Sequence, residues 1–209
     1  MQVIDAVRYV KRQFGDEYNK IITEDDIYQW IYDAETQIIR ETGTNQSSVT
    51  QPCSAFPLTV PDSVNITRVT VKGIAIQFIW KDELDLLQQG EAQVGDPAQY
   101  WYRFNKQIFL WPDCTNSDSV KVWYSKIPVL MAGSPSVNVF TVPEPYHNDI
   151  IKYCLSRAHN KDQNTEMEAR ELERFEKNIS MRAGEAHGYD GPLYKIDDPF
   201  DFDAYCGYY

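Results

Sequence analysis

No apolar run in the sequence approaches the ~18 residues that a helix needs to cross a bilayer, so no membrane partner is expected. The first residues, MQVIDAVRYVKRQF, carry charge throughout and lack the apolar core of a secretory signal. Cysteine is sparse. Cys53, Cys114, Cys154 and Cys206 lie far apart and form no CxxC pair, which disfavours a zinc knuckle or a dithiol redox motif. Reduced, packed thiols in a cytosolic product are the expectation. Histidine is sparser still. His147 and His159 are not spaced i, i+4, the spacing that sets two ligands on one helical face, and His187 stands apart near the C-terminal end. No P-loop, GxGxxG or GxSxG is present. No metal, no cofactor and no catalytic residue is therefore expected. There is also no long basic run, the nearest being Arg8, Lys11 and Arg12, so a grip on nucleic-acid phosphates is disfavoured.

What is present is an ordinary globular composition. Of 209 residues, 43% are hydrophobic and 24% charged, enough to bury a core and too apolar for wholesale disorder. The net charge of −11 is unevenly spread. Residues 44–143 are nearly neutral, with 8 acids and 7 bases, and the excess sits at the two ends. An acidic surface allows DNA to slide past without sticking.

Periodicity divides the chain. Val3, Val7, Val10 and Phe14 form one helical stripe ending near Gly15. Thr23 followed by Glu24, Asp25 and Asp26 suits a second helix start, because free N–H groups and the helix dipole favour negative charge there. Ile27, Trp30, Ile31, Ala34 and Ile38 continue it, and Gly43 stops it. Residues 44–55 are polar and read as a loop or linker. The period then changes to two. Phe56–Val60, Ile66–Lys72, Ile74–Trp80, Gln99–Phe104, Gln107–Trp111 and Ser119–Lys126 read as strands, with Val137–Val142 as one more. Gly73 and the pair Asn105–Lys106 suggest tight turns, and Lys81–Gln89 a short helix ended by Gly90. After Pro143 the helical period returns through Tyr146, Ile150, Cys154 and Ala158. Thr165 with Glu168 predicts a capping box, and Ala169, Leu172, Phe175, Ile179 and Ala183 the buried face of a last helix. Glu171, Glu173, Arg174, Glu176 and Lys177 read as its solvated face.

These elements predict an α+β fold. Helices from residues 1–43 and 144–185 pack as one small bundle, because neither pair covers its apolar stripes alone. Residues 56–142 form an inserted antiparallel β domain. Residues 186–209 form an extended C-terminal arm, since Gly188, Gly191, Pro192, Pro199 and Gly207 oppose a regular helix. The arm carries Tyr189, Tyr194, Phe200, Phe202, Tyr205, Tyr208 and Tyr209, far more aromatic than a solvated tail. It either folds back on its own chain or lays these rings on a neighbouring subunit or partner, and the second is the expectation.

Other candidate sites have commoner explanations. Lys81, Asp82 and Glu83, like the acids opening the second helix, match a charged helix surface better than catalytic carboxylates. Cys154 lies on an apolar stripe and reads as core. Trp80, Trp101, Trp111 and Trp123 fall on strands or their ends. They read mainly as the core of a small β domain, and alternatively as a row of exposed rings on a module that binds carbohydrate.

Several stretches together resemble phage head-to-tail adaptor (connector) proteins. They are IWKDELDLLQQ (Ile79–Gln89), GDPAQYWYRFNKQIFLWPDC (Gly95–Cys114), VKVWYSKIPVLM (Val120–Met131) and VPEPYHNDIIKYCLSRAHNKDQN (Val142–Asn164). The likeness lies in their order: a short helix, a G-x-P-x-x-Y approach to a hairpin, a strand with Y-x-x-x-P, and a helix introduced by a P-x-x-Y turn. The polar loop 44–55 and the arm 186–209 lie outside it. The resemblance implies a structural virion protein, not an enzyme, made in the host bacterial cytoplasm and located in the neck between portal and tail. It implies a homo-oligomeric ring of twelve subunits beneath the portal protein. It further implies a downstream tail or nozzle protein as partner, and DNA passing through the channel without specific binding.

Overall fold

The structure is a computed structural model that describes residues 1–16, 18, 20–88, 98–113, 117–128 and 139–187. Helix α1 spans Val3–Phe14 and α2 spans Glu24–Thr42. Gly15 ends α1 at φ 81°, a left-handed conformation that only glycine adopts without a Cβ penalty, and its N–H reaches the Lys11 carbonyl at 2.9 Å. Thr23 caps α2: its hydroxyl accepts from Asp26 N–H at 3.2 Å, and the Asp26 carboxylate accepts from Thr23 N–H at 2.8 Å. The same acids tie neighbours together. Glu24 pairs with Lys11 of α1 at 2.6 Å and Asp26 with Lys161 at 2.7 Å.

Seven strands follow: β1 (Gln46–Pro52), β2 (Leu58–Thr59), β3 (Ser63–Val71), β4 (Ile74–Phe78), β5 (Tyr100–Phe104), β6 (Gln107–Trp111) and β7 (Ser119–Lys126). Helix α3 (Lys81–Gln88) lies between β4 and β5. The sheet order is β1-β7-β3-β4-β5-β6-β2. The two tight turns are as expected. Lys72 and Gly73 both have positive φ between β3 and β4, as do Asn105 and Lys106 between β5 and β6, the backbone of a type I′ hairpin. The sheet is mixed rather than wholly antiparallel: β4 and β5 run parallel, with Gln77 opposite Tyr100 and Phe78 opposite Trp101. Parallel neighbours need a crossover, and the segment holding α3 is long enough to supply it.

Residues 46–52, expected to be loop, are an edge strand in continuous register with β7 from Gln46↔Ser125 to Pro52↔Ser119. The sequence QSSVTQP hides this because a single apolar side chain, Val49, faces the core. In register, Val49, Val122, Val69 and Ile76 line up across four strands. The expected strand at Val137–Val142 is absent over the described part, residues 139–142. There Phe140 and Val142 are buried among the helices instead.

Helix α4 (His147–Lys161) follows a short 3-10 turn at Glu144–Tyr146, and α5 spans Thr165–His187. Asn164, not Thr165, caps α5, its side-chain carbonyl accepting from Met167 N–H at 3.2 Å. The Glu168 carboxylate is drawn off to Asn160 at 2.6 Å, so the expected box does not close. Ala169 is exposed and Glu171 buried, because the packed stripe of α5 starts one turn later, at Glu171–Leu172. Glu171 keeps a partner there in Arg174 at 2.7 Å.

The buried apolar side chains form two clusters. One joins α1, α2, α4 and α5 around Ile27, Ile31, Ile38, Ile150, Cys154 and Phe175. The other lies within the sheet around Val69, Trp101, Ile108, Leu110, Val120 and Val122. Helices at both ends of the chain thus flank the strand region, an α+β fold.

Candidate functional site

The chemistry-bearing side chains serve the fold. Asp16 follows α1, and its carboxylate accepts from the N–H groups of Lys20, Ile21 and Ile22 at 2.8, 2.7 and 2.9 Å. The Ile22 N–H above all holds this carboxyl below the usual carboxylate range, against the opposing pull of its burial. Asp149 is buried on α4 and holds Arg182 at 2.6 Å, Asn178 at 2.7 Å and Lys152 at 3.2 Å, so it pins α5 to α4. Glu35 of α2 is fully buried. One carboxylate oxygen accepts from Thr141 N–H at 2.5 Å and Val142 N–H at 3.2 Å, while the other has no hydrogen-bond partner among the described residues. Burial pushes its carboxyl above the usual range, opposed by those two N–H groups and by the Thr141 hydroxyl. Glu35 is thus the clasp that fastens the chain returning from the strand region onto α2. The sequence pattern did hold a signal for it: Glu35 stands four residues after Ile31 and three before Ile38, on the apolar face of α2.

The histidines act separately. His147 shares a hydrogen bond of 3.1 Å with the Val142 carbonyl through Nε2 and lies against the Phe140 ring at 4.3 Å; its burial holds its pKa below the usual value. His159 meets Phe14 edge-on at 5.4 Å. Among the described residues no three His, Cys, Asp or Glu side chains come together as a metal cage. Cys154 is free and fully buried, with its thiol pKa pushed far up by desolvation, which suits a packing role. Cys53 is disulfide-bonded, which corrects the expectation of reduced thiols at that position.

Open depressions lie along α2 (Tyr32, Asp33, Thr36, Gln37, Arg40, Glu41) and beside β6 (Ser54, Phe56, Pro57, Tyr102, Phe109, Leu110, Asp113). Neither brings a nucleophile together with a base and an oxyanion donor.

The tryptophans separate into three environments. Trp101 is core, 4% exposed, with Phe78 edge-on at 4.8 Å. Trp111 is half-buried against Tyr100 at 5.9 Å. Trp80 is 46% exposed at the entrance to α3, and Phe78 lies edge-on to it at 4.9 Å. Ile74 and Phe104 are also exposed, with the Lys81 ammonium 3.8 Å over the Phe104 ring. These three tryptophans form no row of rings suited to sugar stacking, because Trp101 points into the core while Trp80 points out.

Trp123 is different. It stands on the outer face of β7, half-buried, directly opposite Arg68 of β3. The Arg68 guanidinium lies 5.5 Å and the Lys121 ammonium 4.6 Å from its ring centre. Among the described residues neither cation has a carboxylate partner, whereas nearby Lys72 is paired with Asp118 at 2.9 Å. Two unneutralised cations on one indole are notable in a chain of net charge −11.

The seven aromatic residues proposed to mark the arm, Tyr189, Tyr194, Phe200, Phe202, Tyr205, Tyr208 and Tyr209, all lie outside the described residues. No helix among the described residues is long and apolar enough to cross a membrane. In comparisons with known proteins, the family model described as SU10 adaptor protein matches residues 1–194. That match covers both helical pairs and the whole sheet. No curated protein matches the chain significantly.

Proposed function

This chain belongs to the SU10 adaptor protein family, a phage adaptor, and from that premise we propose that it is a head-to-tail adaptor of the virion neck. Copies assemble as a ring of twelve beneath the portal protein and join it to the downstream tail or nozzle protein. DNA passes through the central channel. The helices of residues 1–43 and 144–187 are the body that packs side by side, the strands between residues 46 and 126 project from it, and the arm after His187 docks its rings on a neighbour. The work is mechanical joining, without catalysis.

The observation that carries this reading is the family match over residues 1–194, through every element of the fold. Physical features agree with it. A ring needs two different contact surfaces on each subunit, so that head-to-tail contacts close. The exposed Ile74, Trp80 and Phe104 offer one such surface on the strand region, and the aromatic arm offers another by composition. The acidic balance disfavours adhesion of duplex DNA to a channel wall, since like charges repel within a screening length of ~10 Å at ~0.1 M salt. Electron microscopy of the protein mixed with its portal tests the proposal. Rings stacked coaxially on the portal are expected, and a protein that stays monomeric and ignores portal rings overturns it.

A further inference from the structure

We propose that the outer sheet face around Trp123 is the receptor for the acidic stretch of the arm, residues 197–205, of a second copy of this chain. The inference rests on the reading that the arm docks on a neighbour, and it assigns the place and the chemistry. The receptor side is built. Arg68 and Lys121 flank Trp123 on adjacent strands, at 5.5 and 4.6 Å from its ring, and among the described residues neither has a carboxylate partner. The register holds them on one surface: Ser48, Trp123 and Arg68 are cross-strand neighbours, and beside them Thr50, Lys121 and Thr70. This surface also borders β1, the edge strand of the sheet.

The occupant is chosen by charge and by period. The last 24 residues hold 5 acids and 1 base, the reverse of this patch. Within them, Asp197-Asp198-Pro199-Phe200-Asp201-Phe202-Asp203-Ala204-Tyr205 alternates acid and ring from Phe200 to Asp203. In an extended chain alternate side chains share a side. Asp201 and Asp203 then face one way, two carboxylates for the two cations Arg68 and Lys121, and Phe200 and Phe202 face the other. The nine residues 188–196 after α5 span up to ~30 Å when extended, a reach that extends beyond the chain's own last helix. A duplex DNA backbone is also acidic, but the chain has too few clustered cations to hold many phosphates.

The test is zero-length carbodiimide coupling of the full-length chain, mixed equally as unlabelled and 15N-labelled protein, over a hundredfold range of concentration. The expected product joins the Lys121 amine to Asp201 or Asp203 in peptide pairs of mixed isotope, rising with concentration. It is lost when the four acids Asp197, Asp198, Asp201 and Asp203 are changed to Asn, with circular dichroism unchanged. A chain carrying Arg68→Glu and Lys121→Glu, which has no amine at the patch, is read separately by sedimentation. Its self-association is expected to fall and to be restored when the same four acids are changed to Lys. Adducts only within one chain at every concentration, or none to Lys121, overturn the inference. Rings on the portal without this adduct refute the docking site alone. Mixed-isotope adducts without rings support the docking site and refute the ring.

Discussion

The Glu35 clasp yields the sharpest prediction. The carboxylate is fully buried, with one oxygen accepting from Thr141 N–H and Val142 N–H and the other without a hydrogen-bond partner among the described residues. Two forces oppose. Burial of the charge costs several kcal/mol, and hydrogen bonds to a charged acceptor return ~1.5–3 kcal/mol each. Burial wins, so the folded-state pKa lies above the ordinary value of 4.5. A carboxyl with a raised folded pKa contributes stability that is fully present below its unfolded pKa and is lost as pH rises through the folded one. Glu35→Gln cannot titrate and keeps the carbonyl that accepts both N–H groups. The stability of the wild type relative to Glu35→Gln should therefore fall with pH, by ~1.4 kcal/mol for each pH unit between the two pKa values, and then level off. Denaturant unfolding of both proteins at ~pH 4, ~pH 6 and ~pH 8 measures it. The depressed pKa of His147 is common to both proteins and cancels in the difference. Glu35→Ala provides the scale: it strips the acceptor from two N–H groups at a cost of ~1–3 kcal/mol each, with faster hydrogen exchange at Thr141 and Val142. A wild-type minus Glu35→Gln difference that stays constant, or grows with pH, would refute the reasoning, because hydrogen bonding would then outweigh burial.

Other outcomes follow from the same structure. Asp16→Asn should destabilise at neutral pH, and its deficit should shrink as pH falls through the lowered pKa of Asp16, where the wild type loses the same stabilisation; acid unfolding curves measure it. Asp149→Ala leaves Arg182 and Asn178 without their shared partner and should cost ~3–5 kcal/mol in denaturant melts. Trp101→Ala should cost ~3–5 kcal/mol by emptying the sheet core. Trp80→Ala, at an exposed position, should stay within ~1 kcal/mol. If Trp80→Ala unfolds the sheet while Trp101→Ala does not, the assignment of core and surface is wrong. Truncation after Gly188 should leave helicity unchanged and weaken assembly on the portal; loss of both would make the arm part of the core.

The sequence by itself determined what depends on neighbours a few residues away. Stripes such as Val3, Val7, Val10 and Phe14 define helices because a turn repeats every 3.6 residues. Thr23 with Asp26, and Gly15 and Gly43, set the helix ends because free N–H and carbonyl groups there need local partners. Asn105–Lys106 and Lys72–Gly73 turned as expected, because hairpin geometry is decided within two residues. Only the tertiary structure decided what depends on residues far apart in the chain. QSSVTQP became a strand through pairing with β7, some seventy residues on, with a ladder its own pattern does not announce. Glu35 became a buried clasp because a segment more than a hundred residues later delivers two N–H groups to it. Arg68 and Lys121 meet on Trp123 because β3 and β7, distant in sequence, are adjacent in the sheet. Local preference is written one residue at a time, whereas burial, ladder partners and charge clusters exist only once the chain has closed on itself.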